Sequence, residues 1–130
     1  MRWFSILAGL VFIPVVLAGQ QAGGGNTVTP DEAGKLARGQ DVTVEMVVKS
    51  VGISKNKEHW FLNSQADWKD DKNFYVLIPK SVVEKLKAKD ITDPEKAFPG
   101  KTIQVTGNVT IHFTTPQIIL RSPDRLKVVK

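Results

Sequence analysis

Residues 100–113 alternate between apolar and polar side chains, and this alternation constrains the fold more than any other feature of the chain. A period of two places successive side chains on opposite faces of an extended strand. Gly107, in the middle of the segment, favours a close approach of two backbones. A strand with one apolar face must cover it, so the chain is expected to build a sheet around a core. The apolar positions are Ile103, Val105, Gly107, Val109, Ile111 and Phe113.

Four other segments have the composition of strands. Three precede the alternating segment, at about 41–48, 58–63 and 73–78, and one follows it from Gln117. They are rich in β-branched and aromatic residues and are bounded by turn-forming residues, which favours extended structure. Gly52 follows the first of them and indicates a bend in the sheet.

A helix is predicted between the third and fourth strands. It begins after Pro79 and runs to about Lys89, because Val82, Val83 and Leu86 recur at helical spacing. The order β-β-β-α-β-β is that of a five-stranded Greek-key barrel, the OB-fold. The sequence therefore predicts an all-β domain with one or two short helices, on a scaffold suited to binding.

The N-terminal residues have the pattern of a secretory signal peptide. Residues 3–17 form an uncharged apolar run, and small residues precede a cleavage site after Ala18. The alternative is a retained membrane anchor, but a membrane span needs about 20 apolar residues. We expect residues 1–18 to be removed, which leaves an exported chain, periplasmic or extracellular, with no stable membrane insertion.

One domain is predicted after the signal peptide. Residues 19–28 are rich in Gly and Gln and are predicted to form a flexible leader. Thr29 and Glu32 have the spacing of a capping box, so a short helix is expected to start there and to end at Gly39. Residues 29–130 are therefore predicted to form the OB-fold domain.

The charge balance is mildly basic, with a formal net charge of +5. Removal of residues 1–18 takes away Arg2 alone among the charged residues, so 17 basic and 13 acidic residues remain. This excess suits a polyanionic partner, although proteins without a charged ligand have it as well. The chain has no cysteine, so the core and not disulfide bonds must stabilise the fold.

A candidate binding surface lies on the second and third predicted strands. Alternation gives two faces, with Trp60, Leu62, Phe74, Val76 and Ile78 on one, and His59, Phe61, Tyr75 and Leu77 on the other. With the first set in the core, Phe61 and Tyr75 form an outward aromatic pair. Lys55 and Lys57 lie on the flanking turn, and such barrels bind single-stranded nucleic acid by combining stacking with positive charge. The alternative is that both rings pack under the terminal helix or under the loop that contains Asp67 and Trp68.

Trp68 lies in a polar loop, 64–72, and is interpreted either as a ligand clamp or as a lid over one end of the barrel. Asp67, Asp70 and Asp71 surround it but lack the alternating spacing and the glycine of a calcium loop, so a solvated acidic turn is favoured. The two histidines are distant from one another and have no cysteine beside them, which makes a poor metal site. No metal and no cofactor is predicted.

Two motifs span about residues 40–129. The first combines Leu62-Asn63, Asp67-Trp68, Phe74, Val76 and Ile78. The second is Gly100-Lys101-x-Ile103-x-Val105-x-Gly107-x-Val109, followed by Pro116-Gln117-Ile118 and Ser122-Pro123-Asp124-Arg125-Leu126-Lys127-Val128. They resemble the hairpin and the closing strand pair of small secreted bacterial OB-fold domains, some of which occur beside nuclease-like modules. The resemblance implies the fold, while Thr114-Thr115 stand where that family usually has a glycine in the turn.

The sequence gives little support to catalysis, since it has no nucleophile elbow, no phosphate-binding glycine loop and no His-Glu metal helix. We predict an exported non-catalytic binding module for single-stranded nucleic acid or another anionic polymer. One alternative is a protein-interaction or envelope-stress accessory domain that docks an envelope protein. A more remote alternative is a nuclease-like activity. The predicted ligand-binding residues are Phe61, Tyr75, Lys55, Lys57, His59 and Trp68.

Overall fold

The computed structural model describes residues 27–36 and 40–130 of the chain. The predicted signal peptide, 1–18, and all but the last two residues of the predicted leader lie outside this part. The described residues form eight strands and three α-helices. Their bounds are β1 Thr27–Val28, α1 Pro30–Ala33, β2 Asp41–Val47, β3 Ser50–Ile53, β4 Trp60–Asn63, β5 Tyr75–Ile78, α2 Lys80–Ala88, α3 Pro94–Ala97, β6 Thr102–His112, β7 Thr115–Ile119 and β8 Leu126–Val128.

The strands form one sheet in the order β1-β2-β6-β7-β5-β4-β3, with β8 paired to β6. Neighbouring strands are antiparallel, except for the parallel pairs β1–β2 and β5–β7. This confirms the predicted class, a mostly β chain with short helices. The prediction of five strands in a closed barrel is wrong, because the described residues hold eight strands and the hydrogen-bonded path is not closed.

A change of partner at Val48 and Lys49 explains part of this difference. The N–H of Val48 donates to the carbonyl of Lys101 at 2.9 Å, while the N–H of Lys49 donates to the carbonyl of Asn63 at 2.9 Å. The chain therefore leaves β6 and joins β4 within two residues. The predicted first strand, 41–48, corresponds to β2, and β3 lies beyond its predicted end. The bend lies at Val48–Lys49 and not at Gly52, which is inside β3.

Two short strands account for the remaining difference in strand number. β1 consists of the last two residues of the predicted leader, and it pairs in parallel with Thr43 and Val44 of β2. β8 pairs with residues 103–105 of β6. β8 corresponds to the predicted continuation of the fifth strand at Leu126 and Val128. β1 has only two residues, which is too short to show a period of two in the sequence. The end of the predicted leader is thus part of the sheet.

The predicted capping box is confirmed at the start of α1. The N–H of Glu32 donates to Thr29 Oγ1 at 3.1 Å, and the N–H of Thr29 donates to Glu32 Oε1 at 2.9 Å. This hydrogen bond from Thr29 lowers the pKa of the Glu32 carboxyl. The helix is shorter than predicted, because α1 ends at Ala33.

The core combines the inner face of the sheet with residues of the helices, and it includes most of the predicted apolar face of β6. Ile103, Val105 and Val109 are buried, as are Val82, Val83 and Leu86 of α2. A Cβ atom on Gly107 would lie 2.8 Å from Ile118 Cγ2, so only glycine fits the close approach of β6 to β7.

The three α-helices of the described residues are short. α2 is amphipathic and ends at Ala88, close to its predicted end, and α3 begins after Asp93, whose Oδ1 accepts the N–H of Glu95 at 3.1 Å. Across residues 27–36 and 40–130, none of the helices combines the length and the apolar character that crossing a membrane requires.

Candidate functional site

The outer face of β4 and β5 presents Phe61 and Tyr75, as predicted from alternation. Their neighbours in sequence, Leu62 and Val76, are completely buried on the opposite side of the sheet. Asn63 is directly opposite Tyr75 in the ladder, so Phe61 and Tyr75 are diagonal neighbours on adjacent strands. Both side chains are partly exposed, which means that neither ring is sealed in the core.

The two rings contact each other edge to face. Their centroids are 5.8 Å apart and their planes are inclined at 68°. Such T-shaped contacts are favourable, because the positive edge of one ring meets the negative face of the other. The pair is therefore held at a fixed angle, and its two ring faces do not lie in one plane.

Phe61 also lies in a line of paired residues that runs across the strands β3, β4, β5 and β7. It lies opposite Gly52 of β3 on one side and Leu77 of β5 on the other, and Leu77 lies opposite Ile119 of β7. A Cβ atom on Gly52 would be 3.6 Å from two carbons of the Phe61 side chain, so this side chain lies against the Gly52 backbone. We refer to Phe61, Tyr75, Leu77 and Ile119 as the outer apolar row; all four are partly exposed.

Burial raises the pKa of the Tyr75 phenol above its ordinary value of 10.0, because desolvation disfavours the phenolate. The hydroxyl is therefore un-ionised at neutral pH. It can donate a hydrogen bond, and it adds no negative charge that would repel an anionic ligand.

The turn between β3 and β4 carries the two predicted lysines at the end of β4 nearest Phe61. The N–H of Lys57 donates to the carbonyl of Ser54 at 2.8 Å, and Lys57 has a φ of 62°. Ser54 Oγ donates to Asn56 Oδ1 at 2.6 Å and accepts the N–H of His59 at 3.0 Å. Lys55 and Lys57 are exposed, and neither forms a salt bridge within the described residues.

The imidazole of His59 already has a partner in the protein. Its Nδ1 accepts the backbone N–H of Lys80, the first residue of α2, at 3.1 Å. Beside it, Lys80 Nζ lies 3.2 Å from Glu58 Oε2. Nδ1 is therefore already occupied, and the predicted ligand contact of His59 would involve the other atoms of the imidazole.

Trp68 stands in solvent, and the prediction that it acts as a lid is wrong. Its side chain is 66% exposed, and Lys69 Nζ lies 5.5 Å from its ring centroid. The loop is instead anchored by Asn73, which is buried. Asn73 Nδ2 donates to Asn63 Oδ1 at 3.2 Å and to the carbonyl of Trp68 at 3.3 Å, and Asn73 Oδ1 accepts the N–H of Gln65 at 3.2 Å.

The acidic residues of the same loop hold its backbone. Asp67 Oδ1 accepts the N–H of Lys69 at 2.9 Å, and Asp70 Oδ1 accepts the N–H of Lys72 at 2.9 Å. These are turn-stabilising contacts of the kind that aspartate makes two residues ahead. In residues 27–36 and 40–130, no group of three or more His, Cys, Asp or Glu side chains is arranged to hold a metal ion.

Phe113 was predicted on the apolar face of the fourth strand, but it is 90% exposed. β6 ends at His112, which pairs with Thr115, so Phe113 and Thr114 form a two-residue turn. Phe113 has a φ of 58°, which is strained for a bulky side chain. Its ring centroid is 4.6 Å from that of His112. Glycine, the usual signal of such a turn, is missing here, so the sequence did not show that the strand ends before Phe113.

A groove of about 530 Å³ lies apart from the predicted ligand-binding residues. It is lined by the start of α1, the end of β2 and the first residues after β4. Its charged residues are mixed in sign, with Asp31 and Glu45 against Lys49, Lys72 and Lys130. The lining of the groove therefore combines both signs of charge.

Comparison with protein-family models and with curated proteins gives no match. Among solved structures, the chain is similar to the p204 HINb domain, with a TM-score of 0.55 and 14% identity over 80% of this chain and 47% of that chain. It is also similar to Entamoeba histolytica asparaginyl-tRNA synthetase, with a TM-score of 0.50 and 14% identity over 80% of this chain and 23% of that chain.

A third structure, the S. pombe Stn1-Ten1 complex, matches with a TM-score of 0.48 and 12% identity over 69% of this chain and 58% of that chain. The chain thus spans between 23% and 58% of the lengths of these proteins. The HINb domain is an OB-fold protein, and at 14% identity the likeness shows the fold alone.

Proposed function

We propose that the chain is a non-catalytic OB-fold binding module for single-stranded nucleic acid or another anionic polymer. The observation that carries this proposal is the outward aromatic pair of Phe61 and Tyr75, next to a turn that exposes Lys55 and Lys57. Rings on the sheet stack with bases, and lysines on the flanking turn neutralise the phosphates between them.

The geometry of the pair constrains how a strand would lie. Because the two rings are inclined at 68°, bases that stack on both must be splayed apart and not stacked on one another. Unstacked bases of this kind occur in single strands and not inside a duplex. Each stacked base contributes about 1–3 kcal/mol.

We also propose that the protein is exported, either to a periplasm or outside the cell. The support is the apolar run of residues 3–17 followed by small residues up to Ala18. N-terminal sequencing of the full chain expressed in a bacterium and recovered outside the cytoplasm should read from Gly19. Recovery of the intact N-terminus in the membrane fraction would contradict this.

A second candidate is docking of an envelope protein on the same face. It is favoured by Leu77 and Ile119, which extend the outer apolar row beyond the two aromatic rings. Apolar contact of this kind is insensitive to salt, whereas binding through phosphates is not. Salt dependence therefore separates the two functions.

The test is a titration of labelled single strands of about 12 nucleotides at salt concentrations between about 50 and 200 mM. Affinity should fall steeply with salt. The double variant Lys55→Gln/Lys57→Gln should reduce the slope of log K against log salt by about 1.4, since each phosphate contact in a single strand contributes about 0.7. Lys85→Gln/Lys87→Gln, with the same charge change on exposed positions of α2, should leave the slope unchanged.

Stacking is tested separately from charge. Phe61→Ala and Tyr75→Ala should each weaken binding by about 5- to 150-fold, whereas Tyr75→Phe should retain most of the affinity because it keeps the ring. Val47→Ala, an exposed apolar residue on β2, is the matched control. Absence of binding to any single strand, or equal effects of both lysine pairs, would overturn the nucleic-acid proposal.

A further inference from the structure

Gln117 lies on the outer face beside Tyr75, although no ligand role follows from its position in the sequence. The two residues are paired across the parallel strands β5 and β7. The adjacent pair, Val76 and Ile118, is completely buried in the core, so alternation directs Gln117 to the side of Tyr75. Gln117 is nevertheless only 7% exposed, which is unusual for a glutamine outside the core.

The amide of Gln117 makes one side-chain hydrogen bond within the described residues. Its Nε2 donates to Thr110 Oγ1 of β6 at 3.3 Å. Within residues 27–36 and 40–130, its Oε1 accepts no hydrogen bond from any protein donor. A buried carbonyl without a donor costs about 1–3 kcal/mol, and natural proteins retain few of them. This acceptor without a protein donor belongs to the residue paired with Tyr75, on whose ring a base can stack.

We infer that Gln117 determines base preference at the position where a nucleotide stacks on Tyr75. This inference rests on the proposed nucleic-acid function. Thr110 accepts one of the two N–H groups of Nε2 and holds that nitrogen towards β6, so the group on the Tyr75 side of the amide is the acceptor Oε1. It selects bases that carry an exocyclic amino group, such as cytosine, over uracil and thymine, which present a carbonyl oxygen at the same ring position.

Thr110 acts as a positioning residue in this arrangement. Its hydroxyl accepts from the amide nitrogen and so orients the oxygen of Gln117 away from β6. Without that contact the amide can rotate and present either a donor or an acceptor. A freely rotating amide fits both cytosine and uracil, so base preference depends on the pair and not on Gln117 alone.

The test compares deoxycytidine and deoxyuridine homopolymers of about 12 nucleotides, above neutral pH so that cytosine is uncharged. The two bases have the same ring and differ in the amino or carbonyl group and in the ring nitrogen beside it. The full chain should bind the cytosine strand about 2- to 10-fold more tightly, as expected for one hydrogen bond between neutral groups. Equal affinity for the two strands would overturn the inference while leaving the proposed function intact.

Two variants locate the preference. Gln117→Met keeps an unbranched side chain of similar length but removes the acceptor, so the ratio of affinities should fall to about 1 while affinity for the uracil strand changes by less than about 3-fold. Thr110→Val should also reduce the ratio. If Gln117→Met keeps the wild-type ratio, the role of Gln117 is overturned, and if Thr110→Val keeps it, the positioning role of Thr110 is overturned. Failure of the unsubstituted chain to bind either strand would overturn this inference together with the proposed function.

Discussion

Nδ1 of His59 accepts the backbone N–H of Lys80 at 3.1 Å and so joins the turn before β4 to the first residue of α2. The residue before α2, Pro79, offers no side-chain cap. The first amides of a helix have no partner within the helix, and the imidazole supplies one from another part of the chain. A residue predicted to contact ligand thus holds two elements together.

Replacement of His59 should therefore affect stability more than binding. We expect His59→Ala to lower the free energy of unfolding by about 1 kcal/mol, the usual value for one hydrogen bond. His112→Ala, at an exposed end of β6, should change it by less than about 0.5 kcal/mol. Urea denaturation measures both. Unchanged stability with weakened oligonucleotide binding would instead make His59 a ligand contact.

The 64–72 loop should depend on Asn73 and not on Trp68. Asn73→Ala removes three hydrogen bonds of a buried side chain and should lower the free energy of unfolding by about 2–3 kcal/mol. Trp68→Ala should cost less than about 0.5 kcal/mol, because its ring is in solvent. Thermal unfolding followed by circular dichroism checks this order, and a larger loss for Trp68→Ala would restore the lid interpretation.

Gly107 should tolerate no side chain. In Gly107→Ala the new Cβ would lie 2.8 Å from Ile118 Cγ2, and Ile118 is completely buried, so overpacking should cost about 1–3 kcal/mol. The comparison is Gly52→Ala, where the nearest atoms are at an ordinary 3.6 Å and little change is expected. Chemical denaturation of both variants decides the matter, and equal stabilities would show that β6 and β7 can separate without cost.

Phe113 should be destabilising where it stands. Glycine adopts a φ of 58° without strain, whereas phenylalanine does not. Phe113→Gly should therefore raise the free energy of unfolding by about 1 kcal/mol. Phe113→Ala removes the same ring yet keeps the Cβ, and it should give no such gain. If alanine stabilises the protein as much as glycine does, the effect comes from the exposed ring and not from the backbone.

Tyr75 allows a direct measurement of its surroundings, because it is the only tyrosine of the chain. Phenolate absorbance should rise with a midpoint above pH 10, since burial raises the pKa of this phenol. In the unfolded chain the pKa is about 10, so the folded state holds the proton more tightly. The resulting stabilisation is complete below about pH 10 and is lost as the pH rises through the folded value.

The control for this titration is Phe61→Ala, which removes the ring in contact with Tyr75. Tyr75 is then more solvated, so its titration midpoint should move back towards pH 10. Circular dichroism at each pH shows whether the sheet is still folded. A midpoint at or below 10 in the folded protein would mean that Tyr75 is more solvated than the structure indicates.

Alternation in the sequence was informative wherever one face of a strand is buried. It placed Ile103, Val105 and Val109 in the core and Phe61 and Tyr75 outside it, because burial is what a period of two reports. It could not show where a strand changes partner, since a side-chain pattern continues unchanged while the backbone hydrogen bonds turn to another strand. The short strand β3, which begins two residues after the predicted end of the first strand, was therefore missed.

The candidate site was predictable in its rings and lysines, but not in its hydrogen bonds. Nothing in the sequence around His59 indicates that its imidazole caps a helix 21 residues further on. Trp68 was interpreted as a lid because a large apolar ring is usually covered. Its ring is exposed, however, and the loop is anchored by the side-chain amide of Asn73. The sequence does not show the register of β5 against β7, which places Gln117 beside Tyr75.

The adjacent amides of Val48 and Lys49 bond to Lys101 and Asn63, which lie far apart along the chain. Neither half of the sheet can be completed at this point until a distant segment has arrived on each side. Closing both loops costs chain entropy before the contacts form, so assembly of this junction should set the folding rate. Because these two adjacent peptide groups connect them, we expect the β2–β6 and β3–β4 halves to unfold together as one cooperative unit.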